Sequence, residues 1–218
     1  MCWNKNVSLI TFIIAILGCI YLYKRNRPND RWIAVFGVTI AMIQLAEFFM
    51  WGDPSCGAIN KYASMFAMLI LGLEPLMNMI GGIYFSDTPD KKVLKWVLFS
   101  YVVFIALLFF TQIYGKKILW CGTSVCVPDQ NPFKGFVSDK TCNLTWYFMK
   151  NMKSSMGIIW ILFLLIPFLT MKPQFKGILL FIFGLVTFFS AHYLNNAATG
   201  SLWCWLGITI IFYKIVSP

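Results

Sequence analysis

Three ionisable side chains lie inside long apolar segments of this chain. Glu47 belongs to the stretch QLAEFFMW, Glu74 is followed by Pro75, and His192 lies within the otherwise uncharged segment Gly177–Tyr213. An ionised carboxylate at the centre of a bilayer costs at least about 2.5–3.5 kcal/mol. Each glutamate must therefore be protonated, hold a polar partner, or face a water-filled cavity. Such residues are candidates for binding a proton, an ion or a polar solute.

The spacing of Glu47 and His192 predicts that they share one level of the membrane. Counted from the basic residue that precedes each segment, both lie roughly 24 Å along a helix that rises 1.5 Å per residue. Gln44 lies one turn before Glu47, and Asn195 lies one turn after His192, so each pair shares a helix face. We therefore expect an outward-facing polar cavity lined by Gln44, Glu47, His192 and Asn195.

Glu74 is expected to lie deeper, near the middle of the membrane. Pro75 has no backbone N–H, so it frees the carbonyl of Leu71 four residues earlier. Asn78 follows Glu74 by about one turn. A carboxyl beside a freed carbonyl and an amide predicts an ion or proton site. The alternative stays open that Glu47, Glu74 and His192 only hydrogen-bond between helices.

Composition predicts the class of element that must position these residues. The chain is 59% hydrophobic and 12% charged, with a mean hydropathy of +0.72, whereas soluble domains are about 25% charged. We therefore predict an all-α, polytopic membrane bundle of seven transmembrane helices, since about 20 apolar residues span a bilayer. The predicted spans are residues 7–23, 32–51, 63–85, 93–114, 156–171, 177–197 and 201–216.

The basic residues predict the orientation of this bundle. With seven spans, segments 24–31, 86–92 and 172–176 and the C-terminus share one side, and they hold most of the short-loop lysines and arginines. The opposite short segments hold only Lys5 and Lys61. Because positive charge in short loops marks the cytoplasmic face, the N-terminus is expected to be extracytoplasmic and the C-terminus cytoplasmic. Topology thus accounts for the net charge of +10, and no nucleic acid partner is expected.

The long loop 115–155 is expected on the extracytoplasmic side. Disulfides persist there and N-glycosylation sequons are modified there, and the loop contains Asn143-Leu-Thr, which fits a sequon. Three loop cysteines leave one without a partner in the loop, and Cys56 in the other outer loop is a candidate for it. The pairing among these four cysteines stays open. The loop cysteines are Cys121, Cys126 and Cys142.

Several chemistries fit the sequence poorly. A retinal protein needs a lysine in mid-membrane, but Lys214 lies at the end of its span. One histidine is too few for a multi-histidine zinc site, although Cys2, Glu47 and Cys204 could in principle complete one. No metal is therefore predicted, and the sequence leaves the cofactor unknown.

Short motifs in the first third of the chain resemble an uncharacterised family of multi-pass membrane proteins from large DNA viruses and bacteria. That family begins Met-Cys-Phe/Trp-Ser and carries Gln-x-x-Glu ahead of a Trp in its second span; Cys2, Gln44, Glu47 and Trp51 match, while Asn4 replaces the usual Ser. SLWCW, residues 201–205, is similar to a late motif of the viral members. The resemblance implies a viral product in a host endomembrane or virion membrane. It also draws attention to Cys2 as a possible reactive thiol.

Three functions follow as hypotheses. The leading one is transport or binding of a small solute or ion through the outward-facing cavity, with Glu74 as the deeper residue. The second is a membrane-embedded enzyme that acts on a lipid or a thiol and uses Cys2, Glu47 and His192. The third is a structural protein of a viral or organelle membrane. The lipid bilayer is the one partner that all three share, and the oligomeric state is left open.

Overall fold

The computed structural model describes residues 4–86, 91–128, 140–150, 154–194 and 198–217. Six helical segments in these ranges, including the interrupted segment Thr199–Val216, are long and apolar enough to cross a membrane, and a seventh, Ser155–Thr170, is shorter. The predicted all-α membrane class is therefore confirmed. The helices are α1 (Lys5–Arg25), α2 (Asp30–Gly52), α3 (Ala58–Phe85), α4 (Lys91–Leu108), α5 (Ser154–Leu165), α6 (Gln174–Leu194), α7 (Thr199–Gly207) and α8 (Thr209–Val216).

Three of the seven predicted spans are not one regular α-helix. The fourth ends in a π-helical turn at Phe109–Ile113, and the fifth ends in a 3-10 turn at Ile166–Thr170. That 3-10 turn contains Pro167, which cannot donate the hydrogen bond that would continue the α-helix. The last predicted span is divided at Ile208 into α7 and α8.

The loop between α4 and α5 contains a β-hairpin that the sequence reading did not predict. Strand β1 (Gly122–Pro128) pairs antiparallel with β2 (Lys140–Trp146), and Gly122 lies opposite Trp146. Strand β1 contains Thr123, Val125 and Val127, and β2 contains Thr141 and Thr145; these β-branched residues favour extended backbone. The prediction treated residues 115–155 as a cysteine-containing loop and assigned no strands to it.

The core of the bundle lies around α2, while α4 is the least buried of the long spans. Helix α2 packs against α1, α3, α7 and α8. On α4, Trp96 is 63% exposed and Phe99 is 62% exposed. Rows of large exposed apolar side chains are rare on soluble monomers, and a lipid environment accounts for them.

Close contact between α2 and α3 depends on two adjacent glycines. A Cβ atom on Gly81 would lie 2.6 Å from Cδ1 of Trp32, and one on Gly82 would lie 3.0 Å from Cζ2 of the same ring. Only glycine therefore lets the indole lie flat against α3. This contact brings the indole N–H to Asn78, one of the residues predicted to belong to a site.

Candidate functional site

At one end of the bundle, Asp30 forms an ion cluster that we name the inner lock. Asp30 is fully buried, and Arg25 donates to both of its oxygens, from Nε at 2.7 Å and from Nη2 at 2.9 Å. Lys214 Nζ lies 3.3 Å from Oδ1, and the backbone N–H of Arg27 donates to Oδ2 at 2.9 Å. The inner lock therefore joins α1, α2 and α8, and both carboxylate oxygens hold charged donors.

Arg25 also closes the end of α8. Its Nη1 donates to the carbonyl of Ile215 and its Nη2 to that of Lys214, both at 2.8 Å. The last carbonyls of a helix have no partner within it and attract cations. The sequence reading missed this cluster because it treated Asp30 as part of a basic loop. One feature of the sequence could have revealed it: Asp30 directly precedes a long apolar run, and acidic residues are favoured in the first turn of a helix.

At the opposite end, Glu47 is the centre of a second polar group, the outer cluster of Gln44, Glu47, Trp146 and Ser201. Glu47 is 3% exposed, and Gln44 Nε2 donates to its Oε2 at 3.3 Å. The Ser201 hydroxyl and the Trp146 indole lie against the same carboxyl. Even so, Glu47 Oε1 and Trp146 Nε1 are buried without a hydrogen-bond partner in the described part of the chain. Every neighbour of this carboxyl in the cluster is neutral.

Asn60 anchors the hairpin that carries Trp146. Its Nδ2 donates to the carbonyls of Gly122 at 2.7 Å, Asp53 at 2.9 Å and Met50 at 3.2 Å. Its Oδ1 accepts from the N–H of Gly122 at 2.8 Å. Asn60 is fully buried, so one amide ties the first residue of β1 to the end of α2 and the start of α3.

A disulfide reinforces this attachment. Cys56 is bonded to Cys121, with a Cα–Cα distance of 5.4 Å, which confirms that Cys56 pairs with a cysteine of the long loop. Cys142 is also a disulfide cysteine, and its position in the register is opposite Cys126.

Trp146 covers the outer cluster. A Cβ atom on Gly200 would lie 2.6 Å from Cζ3 of Trp146, so the indole lies directly on the start of α7. Trp146 itself is 6% exposed. Glu47 is therefore closed beneath the hairpin, whereas the sequence reading expected a cavity open to the outside.

His192 does not lie against Glu47 in the described contacts. It is exposed on α6, its Nδ1 lies 3.3 Å from the Thr199 hydroxyl, and its ring lies 6.5 Å from that of Phe188. Two further members of the predicted site, Asn195 and Cys2, are outside the described residues. Among the described residues, no contact brings His192 to Glu47, two members of the group that the enzyme hypothesis needs.

Around Glu74, the backbone groups that Pro75 disturbs are satisfied by other helices. Trp160 Nε1 donates to the freed carbonyl of Leu71 at 3.0 Å, and Tyr101 donates to the carbonyl of Gly72 at 2.7 Å. Glu74 is 1% exposed, and its Oε1 has no hydrogen-bond partner among the described residues. The Glu74 carboxyl is therefore not needed as a hydrogen-bond donor to the carbonyl that Pro75 leaves free.

Glu74 lines a small cavity in the bundle core. The space open to the centre of a water molecule is about 20 Å³, and roughly 10–15 Å³ of such space holds one water. The polar residues of its wall are Glu74, Thr187, Trp203 and Cys204, and the rest of the wall is mostly apolar. The cavity has room for about one water and is too small for an organic solute.

Helix α7 connects the cavity with the outer cluster. Ser201 lies against Glu47, and Cys204 follows one turn later on the same face of α7. Cys204 is 4% exposed and lies within electrostatic range of both Glu47 and Glu74. A hydroxyl near Glu47 and a thiol in the wall of the Glu74 cavity therefore lie on one face of α7.

Asn78, expected to be an ion ligand beside Glu74, makes two hydrogen bonds to other helices. Its Oδ1 accepts from Trp32 Nε1 at 2.6 Å, and its Nδ2 donates to the carbonyl of Leu164 at 2.7 Å. Asn78 is fully buried. In this arrangement it joins α2, α3 and α5.

The surroundings of Asn143 do not favour glycosylation. This residue lies within β2 opposite Val125 and is 5% exposed. A glycan needs an exposed side chain at its point of attachment. As for metals, no group of three or more His, Cys, Asp or Glu side chains that could hold an ion lies within the described ranges.

The apolar outer faces, the long helices and the polar groups turned inward define a multi-helix integral membrane protein. The chain is 26% identical over 133 residues to an uncharacterized protein of Acanthamoeba polyphaga mimivirus. That match covers 56% of this chain and 52% of the viral protein, so it spans about half the length of the relative. No protein-family model matches the chain, and no solved structure matches it significantly. The similarity fits the resemblance to proteins of large DNA viruses.

Proposed function

We propose that this membrane protein binds and relays protons through Glu47 and Glu74. The observation that carries the proposal is that each carboxyl is buried with one oxygen, Oε1, lacking a hydrogen-bond partner in the described part of the chain. A buried polar atom without a partner is costly. Two such atoms, on neighbouring helices of one bundle, favour groups that gain and lose a proton.

The cavity favours a proton over a larger ligand. Its volume suits about one water, so an organic solute does not fit. A hard cation needs several oxygen ligands, but the wall offers one carboxyl and one hydroxyl. That hydroxyl, on Thr187, already donates to the carbonyls of Phe183 and Gly184.

The proposed route runs from the outer cluster to the cavity along α7. A proton enters on Glu47, which is covered by Trp146, and is released to water. Ser201 and Cys204 line the way, the proton then adds to the carboxylate of Glu74, and Glu74 finally returns it to water on the other side of the membrane. Displacement of Trp146 from Gly200 would admit water to Glu47, because that indole is the part of the hairpin that lies against the carboxyl.

The proposed orientation places the hairpin and its Cys56–Cys121 disulfide on the extracytoplasmic side. The N-terminus is then extracytoplasmic and the C-terminus cytoplasmic, with the basic short loops facing the cytosol. The similarity to a viral protein supports a viral membrane or a host endomembrane as its location.

Proton flux in proteoliposomes tests the proposal. Protein is reconstituted into vesicles that contain a pH-sensitive dye, and the external pH is stepped from 7 to 6. We expect acidification of the lumen by the unchanged protein, and loss of most of that flux in Glu47→Gln and in Glu74→Gln. Glutamine keeps the size of glutamate and one carbonyl oxygen but cannot exchange the proton.

Asp53→Asn is the matched control, since it removes a carboxyl from the outer loop and should leave the flux unchanged. An infrared measurement adds a readout that does not depend on transport. The C=O band of a protonated carboxyl should be present in the unchanged protein and should shrink in Glu74→Gln. Equal flux in the unchanged protein, in both glutamine variants and in empty vesicles would overturn the proposal and favour a structural role.

A further inference from the structure

We propose that the hairpin end of the bundle binds acidic phospholipids through a group of surface lysines that we name the basic rim. The basic rim consists of Lys61, Lys116, Lys117 and Lys150. All four side chains are exposed. Their partner is the negatively charged headgroup of a lipid in the membrane leaflet next to the hairpin. The rim lies outside the two buried carboxyl sites, so this inference does not depend on the proton relay.

The segments that carry these lysines meet at the base of the hairpin. Lys61 directly follows Asn60, whose side chain holds the backbone of Gly122. The carbonyl of the neighbouring Cys121 accepts a hydrogen bond at 2.9 Å from the backbone N–H three residues before Lys150. The other two lysines lie on the segment that leads into Cys121. One anchored point of the backbone therefore brings all four lysines to the same end of the bundle.

Each lysine of the rim lies close to the end of a membrane helix. Lys61 belongs to the first turn of α3, which has 28 residues and is about 42 Å long, longer than the roughly 30 Å hydrocarbon core of a bilayer. The membrane segment that includes α4 ends at Ile113, shortly before Lys116. Lys150 shortly precedes Ser154, where α5 begins. These positions correspond to the level of the lipid headgroups.

Exposed aromatic and apolar side chains accompany the lysines. Tyr62 is 67% exposed, Tyr114 is 68% exposed and Leu119 is 60% exposed. Nζ of Lys150 lies 5.6 Å from the centroid of the Tyr147 ring. Tyrosine is enriched at membrane interfaces, and long lysine side chains extend from apolar surface to the headgroups. A soluble polyanion would contact the lysines alone, so this combination favours a membrane surface as the partner.

The positive charge of the rim has no acidic counterpart in the described part of the chain. The ion pairs found there both involve Asp30, at the opposite end of the bundle. Asp53, at the hairpin end, accepts hydrogen bonds from the Ser55 hydroxyl and the backbone N–H of Asn60. In the sequence, the whole loop 115–155 contains six lysines and two aspartates. Basic residues next to membrane helices attract acidic lipids, so the charge of the rim matches this partner.

Photochemical crosslinking of the full-length protein in phosphatidylcholine nanodiscs tests this inference. Two lipid probes carry the same photoreactive group near the glycerol, one with a phosphatidylglycerol and one with a phosphatidylcholine headgroup. Labelled peptides are mapped by mass spectrometry. We expect the phosphatidylglycerol probe to label segments 58–62 and 114–121 about tenfold more than the phosphatidylcholine probe. The double substitution Lys117→Gln with Lys150→Gln should lower this preference at least about fivefold, the contribution of one lysine at a membrane surface.

Lys91→Gln with Lys92→Gln is the matched control. These two lysines are exposed at the start of α4, so the control removes the same charge at the opposite end of the bundle. It should leave the preference at the hairpin end unchanged, and both double variants should unfold at the same temperature in phosphatidylcholine. Equal labelling by the two probes, or an equal preference in the two double variants, would overturn the proposal. Protection of the rim lysines from acetylation by heparin, but not by phosphatidylglycerol, would replace the lipid with a soluble polyanion.

Discussion

Two carboxyls at opposite ends of α2 have the same burial but different partners. Asp30 is fully buried and Glu47 is 3% exposed. Asp30 has both oxygens bonded, with two cations in contact, whereas Glu47 has neutral neighbours and one oxygen without a partner. The charge of the partners, and not the burial, separates a carboxylate that joins helices through ion pairs from one that we propose exchanges a proton.

The largest effect is expected when the inner lock is broken. Asp30→Asn leaves Arg25 and Lys214 buried without a counter-charge, and we expect a loss of about 3 kcal/mol in the free energy of unfolding. This is the lower end of the range for broken buried pairs, because the Arg25 side chain retains 10% exposure. Unfolding in mixed micelles measures it, with Asp53→Asn as the control. A loss below about 1 kcal/mol would mean that the ion cluster does not hold the bundle together.

A smaller loss in the free energy of unfolding is expected when Asn78 is substituted. Asn78→Leu keeps the volume but removes the bonds to Trp32 and Leu164, which leaves a buried indole N–H without a partner. We expect a loss of about 1–2 kcal/mol, since interhelical hydrogen bonds in membranes contribute modestly. The same unfolding assay measures it, and proton flux should persist. Intact stability combined with lost flux would return Asn78 to the role of ion ligand.

Substitution of the two glutamates should affect stability least among the core changes. Glu47→Gln and Glu74→Gln keep a neutral polar side chain beside neutral neighbours, so we expect less than about 1 kcal/mol of change. This small effect contrasts with the large one at Asp30 and should accompany the loss of flux. A loss as large as that of Asp30→Asn would place these carboxyls among the structural residues and remove the contrast.

The smallest effect on stability is expected from substitution of Asp53, which lies outside the membrane-spanning helices. Hydrogen bonds from the backbone N–H of Asn60 and the hydroxyl of Ser55 hold the pKa of the Asp53 carboxyl below its ordinary value of 3.8. Because the pKa is lowered by folding, the stabilisation is complete above the unfolded pKa and is lost as the pH falls through the folded one. Asp53→Asn should therefore be less stable than the unchanged protein at pH 6, and the gap should narrow below about pH 4. A gap in unfolding temperature that stays constant over this pH range would exclude the linkage.

Hydropathy in the sequence determined the membrane class and the approximate limits of the helices. Burial of Glu47 and Glu74 followed from the cost of charge in hydrocarbon, and the free carbonyl of Leu71 followed from Pro75. These features depend on one residue or one segment at a time. The three loop cysteines were recognised as candidate partners of Cys56, because they share its predicted side of the membrane.

Tertiary structure alone decided which groups meet. The partners of Glu47 include Trp146 and Ser201, which come from a hairpin and from α7, far from α2 in sequence. Whether His192 faces Glu47 or the surroundings depends on the rotation of α6 about its axis. Spacing gives the height of a residue in a uniformly apolar helix but not its direction, since lipid and protein core are equally apolar neighbours. Only the packing of the whole bundle fixes that direction.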